Sequence, residues 1–235
     1  TVRKALRDSG IDILAQAPDR RVHVAREDAL ADWDDPQTRY WLGFAVADVC
    51  LQDRTTLKWT ITAADGPWLQ QFLAHVGLPD RPMTDQPATN SVQATLRSAG
   101  LCASLRKAGV TERGHGSERQ LHPDLAMDPA AWLGNLDGDG CVYFRDDVPR
   151  LEWSGSRPLM DQCHQWLQTT TGRGWNPHDR LSQDGEHSLT TCGISGHGAA
   201  AIAQILLDAC PASMPRKRQR LAVAAQWQGR RGQAA

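Results

Sequence analysis

Two aspartates, Asp48 and Asp139, close a pair of matching runs, and their chemistry is that of carboxylates at helix ends. Trp132-Leu-Gly-Asn-Leu-Asp-Gly-Asp-Gly140 reads as a short apolar helix running into two acids and then into the strand-like Cys-Val-Tyr-Phe-Arg145. A weaker copy lies upstream, Trp41-Leu-Gly-Phe-Ala-Val-Ala-Asp-Val49, followed by Cys50. An acid at a helix C-terminus faces the negative end of the dipole, which is unfavourable without a cation nearby. Gly43 and Ala47 share one helix face, as do Gly134 and Gly138. Small residues so placed let two helix backbones approach closely. Packed through these faces, the helices would bring Asp48 and Asp139 out side by side. Paired carboxylates repel and titrate upward unless a cation holds them. A hard divalent ion fits, most naturally Mg2+, at a site that Mn2+ or Ca2+ can also occupy. Such ions can activate water and stabilise a leaving oxygen in phosphodiester hydrolysis.

The elements that must position these acids recur in order. Arg39–Asp48 reads as a helix, apolar on most sides as a buried helix is. Cys50–Asp53 and Thr56–Thr62 follow as a hairpin, then a helix over Pro67–Val76, a strand around Val92–Leu96 and a helix over Leu101–Ala108. After the polar stretch Thr111–Leu125 the order repeats. Ala130–Asp139 is a helix, Cys141–Arg145 and Arg150–Ser154 a hairpin, Leu159–Thr169 a helix, Ser188–Ile194 a strand and Ala199–Cys210 a helix. Trp153 answers Trp59 in the second strand of each hairpin. A fourth strand per half is expected around Pro82–Pro87 and Trp175–Leu181, and a basic helix over residues 216–227 ends the repeat. The fold class is therefore α+β, an internal duplication of two pseudo-symmetric αββαββα halves. The expected boundaries are an N-terminal helix and arm over 1–37, a first half over 38–112, a linker over 113–128, a second half over 129–227 and a tail over 228–235.

Alternation along the strands gives each sheet one buried and one open face. The open faces are expected to carry Lys58, Thr60, Thr62, Gln93, Thr95 and Arg97 from the first half. Tyr143, Arg145, Arg150, Glu152, Ser154, Ser188 and Thr190 come from the second. Groups of this kind read base edges in a major groove, although solvated sheet surface is the commoner use of them.

Bulk properties bound the reading. With 235 residues, 40% of them hydrophobic, the chain can bury one sizeable core or two small ones. No apolar run is long enough to cross a membrane. The chain does not begin with Met, which points to processing or excision. Its first residues lack a secretory signal, so the expected location is cytoplasmic, at a bacterial or phage nucleoid. Six cysteines with no Cys-x-x-Cys pair read as reduced thiols. A net charge of −1 does not favour a nucleic-acid partner. Basic residues nonetheless cluster at Arg216, Lys217, Arg218 and Arg220.

The two runs, with their repeated strands and helices over residues 38–227, resemble the LAGLIDADG homing endonucleases in the single-chain, two-motif form. The resemblance implies sheets forming a saddle over double-stranded DNA, a monomer, and metal-dependent cutting at a long site. It implies that Asp48 and Asp139 bind metal, since the last acid of each motif does so in the family. The family's lysine after the last helix of a half would be Lys217, giving electrostatic help at the phosphate; the first half has Arg113 in a comparable place. The sequence departs from the pattern at Val49, usually glycine, and at Val46, usually an acid. Thr60 and Ser154 stand where some members carry a strand glutamine. The segment Thr-Val-Arg-Lys-Ala-Leu-Arg at 1–7 resembles the recognition helix of a helix-turn-helix.

Two other readings compete. Asn135-Leu-Asp-Gly-Asp-Gly140 fits the start of an EF-hand loop, but the twelfth position is Asp146 and a strand follows in place of a helix. The stronger alternative is a non-cutting, sequence-specific DNA-binding regulator on the same fold, which the degenerate first motif favours.

Overall fold

A computed structural model describes residues 24–112, 115–181 and 188–229. Its first helix, α1 (Pro36–Asp48), starts where Asp35 accepts from the amides of Gln37 and Thr38, with a proline in the first turn. The first half continues through β1 (Val49–Leu51), β2 (Thr56–Thr62), α2 (Gly66–His75), β3 (Thr84–Gln86), β4 (Ser91–Arg97) and α3 (Ala99–Ala108). A single turn, α4 (Pro123–Ala126), leads into the second motif helix, α5 (Pro129–Asp139). Asp128 caps α5 as Asp35 caps α1. Then come β5 (Cys141–Arg145), β6 (Val148–Gly155), α6 (Arg157–Thr171), β7 (His178–Leu181), β8 (Ser188–Ser195), α7 (His197–Ala209) and α8 (Pro215–Ala225).

Each half holds one four-stranded antiparallel sheet, ordered β1-β2-β4-β3 and β5-β6-β8-β7. Identical order in both sheets is the duplication expressed as topology. The helices cover one face of each sheet. In the first half Trp41, Trp59 and Phe72 pack together, with the Trp59 and Phe72 ring centroids 4.4 Å apart. Trp132 stacks on Trp166 at 5.7 Å in the second, and Trp153 meets the same ring edge-on. All of these rings are buried, so the repeated tryptophans anchor each sheet to its motif helix.

Helices α1 and α5 join the halves, and they touch backbone to backbone. A methyl on Gly43 would fall inside the Ala131 carbonyl, and one on Gly134 inside the Tyr40 carbonyl. Gly138 abuts the Ala47 methyl. The small-residue faces read from the sequence are therefore the faces in contact. Asn135 Nδ2 lies 3.4 Å from the Gly43 carbonyl, a long polar contact across the same seam.

The acidic stretch before α1 is a wrapped arm over its described part. Ala25, Ala29 and Leu30 are buried, Glu27 accepts from Ser98 and from the Gly100 amide, and Arg26 donates to the His75 carbonyl. The expected helix at residues 1–10 lies outside the described residues, as does Arg113. Among the described residues no helix is long and apolar enough to cross a membrane.

Candidate functional site: the acid pair and the sheet faces

The crossing of α1 and α5 dictates where the acids stand. Asp48 and Asp139 are the last residues of the two helices. Asp48 Oδ2 sits 3.2 Å from where a Gly138 Cβ would lie, one residue from Asp139. The structure thus brings the two sequence-derived acids together. Burial among surrounding protein, reinforced by the Asp139 charge, pushes the Asp48 carboxyl up to about 8. Asp139 is more open to water, but the protein around it still raises its pKa, against the pull of Arg119 and Lys217.

Two cations lie behind the acids, Lys217 buried and Arg119 half-buried. Lys217 Nζ donates to the carbonyls of Leu136 and Asp137 at 2.7 Å and to Gly140 at 2.9 Å, with Gly138 at 3.2 Å. Arg119 donates to the carbonyls of Val46 at 3.0 Å and of Ala47 and Val49 at 2.6 Å. The carbonyls are pseudo-symmetric equivalents, so each motif helix ends on a cation that neutralises its dipole. This resolves the unfavourable placement of an acid at each helix end. Lys217 is expected from sequence at a phosphate; the residue is buried, and its donors instead face the α5 carbonyls. Arg119 is the first-half counterpart, a role the sequence reading looked for at Arg113. Aligning Glu118-Arg119 on Arg216-Lys217 would have revealed it.

Asp137 is fully buried and serves the fold. It accepts from Tyr40 Oη at 2.8 Å and the Met214 amide at 2.6 Å, and Trp68 Nε1 donates to Tyr40 Oη at 2.8 Å. Burial raises its carboxyl to about 6, while these donors hold it down. Val46 occupies the equivalent place in α1.

The open face of the first sheet carries the expected set. Register pairs Thr56 with Arg97, Lys58 with Thr95 and Thr60 with Gln93, all opposite in sense to buried Leu57, Trp59 and Ile61. Thr62 pairs with Ser91 at the end nearest the acids. In the second sheet Tyr143, Arg145, Arg150, Glu152 and Ser154 share the open face. Glu152 pairs with Arg180 at 3.2 Å and accepts from Tyr143, so it is already engaged. Thr190 requires a correction. Trp153 pairs with Cys192 and Leu151 with Ile194, so the even positions of β8 face the helices and Thr190 goes with them, donating to Asp179. Leu189, Thr191, Gly193 and Ser195 take the open face. Ser188 pairs with Leu181 at the strand end. Trp175 was not foreseen: its ring packs on Gly193, with the Arg150 guanidinium 5.6 Å from the ring centre.

Among the described residues no group of three or more His, Cys, Asp and Glu side chains is placed to hold an ion. Two adjacent carboxylates nonetheless suit Mg2+, which usually takes one or two carboxylates and completes its shell with water and substrate oxygens.

No protein-family model and no curated protein matches the chain significantly by sequence. Solved structures do match. I-DmoI in complex with DNA and Ca aligns over 84% of this chain and 99% of its own, with a TM-score of 0.53 and 13% identity. I-SmaMI bound to its uncleaved DNA target with calcium ions aligns over 81% and 90%, at 0.53 and 10%. The LAGLIDADG meganuclease I-CpaMI bound to uncleaved DNA gives 81% and 90%, at 0.51 and 10%. At such identities the likeness speaks for architecture. The chain has the two-motif, single-chain fold of the LAGLIDADG homing endonucleases.

Proposed function

We propose that the protein is a site-specific, divalent-metal-dependent endonuclease of double-stranded DNA, working as a single chain. One observation carries the reading: two carboxylates are held side by side between two polar sheet faces, with the Asp139 charge raising the proton affinity of Asp48. A fold that only needed to bind would gain nothing from that repulsion. Asp48 and Asp139 would hold the metal, which supplies an activated water and charge stabilisation at the phosphate. The sheets position the duplex. Lys58, Arg97, Arg145 and Arg150 meet phosphates, and the hydroxyl and amide side chains between them meet base edges. Lys217 and Arg119 hold the helix ends that carry the acids, and lend positive charge from beneath. The likeness to DNA-bound nucleases supports this reading.

The non-cutting regulator keeps one observation in its favour: buried Lys217 and half-buried Arg119 spend most of their donors on main-chain carbonyls. Incubation with a randomised duplex library, with and without Mg2+, separates the two. Cut ends at one long motif, only with metal, establish the endonuclease. Molecules enriched by binding but never cut, even with Mn2+, establish the regulator.

A further inference from the structure

Two clefts flank the acid pair, related by the pseudo-two-fold and similar in size at about 360 and 380 Å3. Their linings differ. The cleft over the first sheet is bordered by Asp48, Asp139, Thr60, Thr62 and Ser91, and by an ion pair, Asp65 with Arg216. Arg216 donates from Nε to Asp65 Oδ1 at 3.0 Å and from Nη2 to Oδ2 at 2.8 Å, and Thr62 donates to the same carboxylate. This fork fixes the guanidinium and leaves Nη1 uncommitted, with the Arg216 side chain 56% exposed. The cleft over the second sheet has Leu159 where the first has Asp65, and Leu189 where it has Ser91. Arg216 has Glu118 as its equivalent, and Glu118 turns away to His115. The one cation in that cleft, Arg119, is committed to three carbonyls.

We propose that the two clefts engage the two DNA strands unequally: the cleft over the first sheet seats its scissile phosphate on Arg216, held in place by Asp65, and that strand is cut first. This rests on the endonuclease reading. A phosphate gathering charge in the transition state meets a preorganised guanidinium in one cleft. In the other it meets Leu159, Leu189 and an arginine whose guanidinium is tied to main-chain carbonyls. One such donor is worth on the order of 100-fold in rate, so nicked duplex forms well before a double-strand break.

The test uses supercoiled plasmid carrying the selected site and, in parallel, a linear duplex with one strand or the other end-labelled. Nicked circle should accumulate ahead of linear product, with early nicks in one strand. Arg216→Ala should slow that first nick by about 100-fold, and Arg216→Lys should recover part of it. The pair Glu118→Arg with Leu159→Asp should speed the second cut. Linear product without a nicked intermediate, or early nicks shared equally between strands, overturns the proposal. A second readout needs no cutting. With Ca2+ present, a neutral methylphosphonate at the central phosphates should weaken binding from one strand only, and Arg216→Ala should erase the difference. Equal loss from both strands overturns the proposal, whereas a protein that binds unequally but never cuts with Mg2+ or Mn2+ overturns only the endonuclease reading.

Discussion

Replacing Lys217 by Met separates a phosphate-binding lysine from a helix-capping one. Lys217 is 5% exposed, and its ammonium serves the last carbonyls of α5 and that of Gly140. Charged hydrogen bonds of this kind contribute roughly 1.5–3 kcal/mol each way they are measured, and the helix dipole adds up to about 2 kcal/mol at a buried terminus. Against this stands the cost of burying the ammonium itself, which already lowers its pKa. The difference comes to about 3 kcal/mol of lost stability, or roughly 6–12 °C in Tm for a chain of this size. Urea unfolding of metal-free protein at neutral pH, followed by tryptophan fluorescence, reads it directly. Lys217→Arg should lose less, because a guanidinium can still serve two carbonyls. A change below about 0.5 kcal/mol, the range of an ordinary surface substitution, would refute the capping account and return Lys217 to the phosphate.

Other expectations concern the crossing and the acids. Gly43→Ala or Gly134→Ala should destabilise by about 3 kcal/mol or more, since a methyl meets a backbone carbonyl and not a flexible side chain; denaturant midpoints check this. Asp139→Asn should abolish cutting while DNA affinity in a gel-shift stays near normal, and loss of both together would count against the assigned role. Asp48 has a pKa raised from 3.8 to about 8, so the folded state holds its proton more tightly than the unfolded chain. Metal-free protein should therefore lose stability as pH rises between those values, and Asp48→Asn should flatten that slope. For the same reason Mg2+ affinity, measured by calorimetry, should rise with pH up to about 8, with release of a proton on binding.

Much of this architecture was legible because the strongest signals are local and repeated. Trp59 and Trp153 alternate with polar neighbours, so both central strands and their buried faces follow from period alone. The caps Asp35 and Asp128 with their prolines begin the motif helices at Pro36 and Pro129, earlier than the apolar pattern suggests, by three residues in the first and one in the second. Strands β3 and β7 are short, polar edges with little burial to betray them. Thr190 shows a different failure. Two adjacent threonines make the parity of β8 ambiguous, and only pairing of Cys192 against Trp153 settles it. The acid pair was legible through glycine spacing. The carbonyl partners of the cations beneath it, and the Asp65–Arg216 fork, join residues far apart in sequence and leave no local trace.

The backbone-to-backbone crossing of α1 and α5 works as a ruler. Because carbonyls and glycines set the spacing of the halves, the acids inherit their separation from main-chain geometry that no sheet-face side chain touches. Lys58, Gln93, Arg145 or Arg150 can be exchanged without moving the ruler. On the endonuclease reading proposed above, what is recognised can therefore change while the point of cutting stays put.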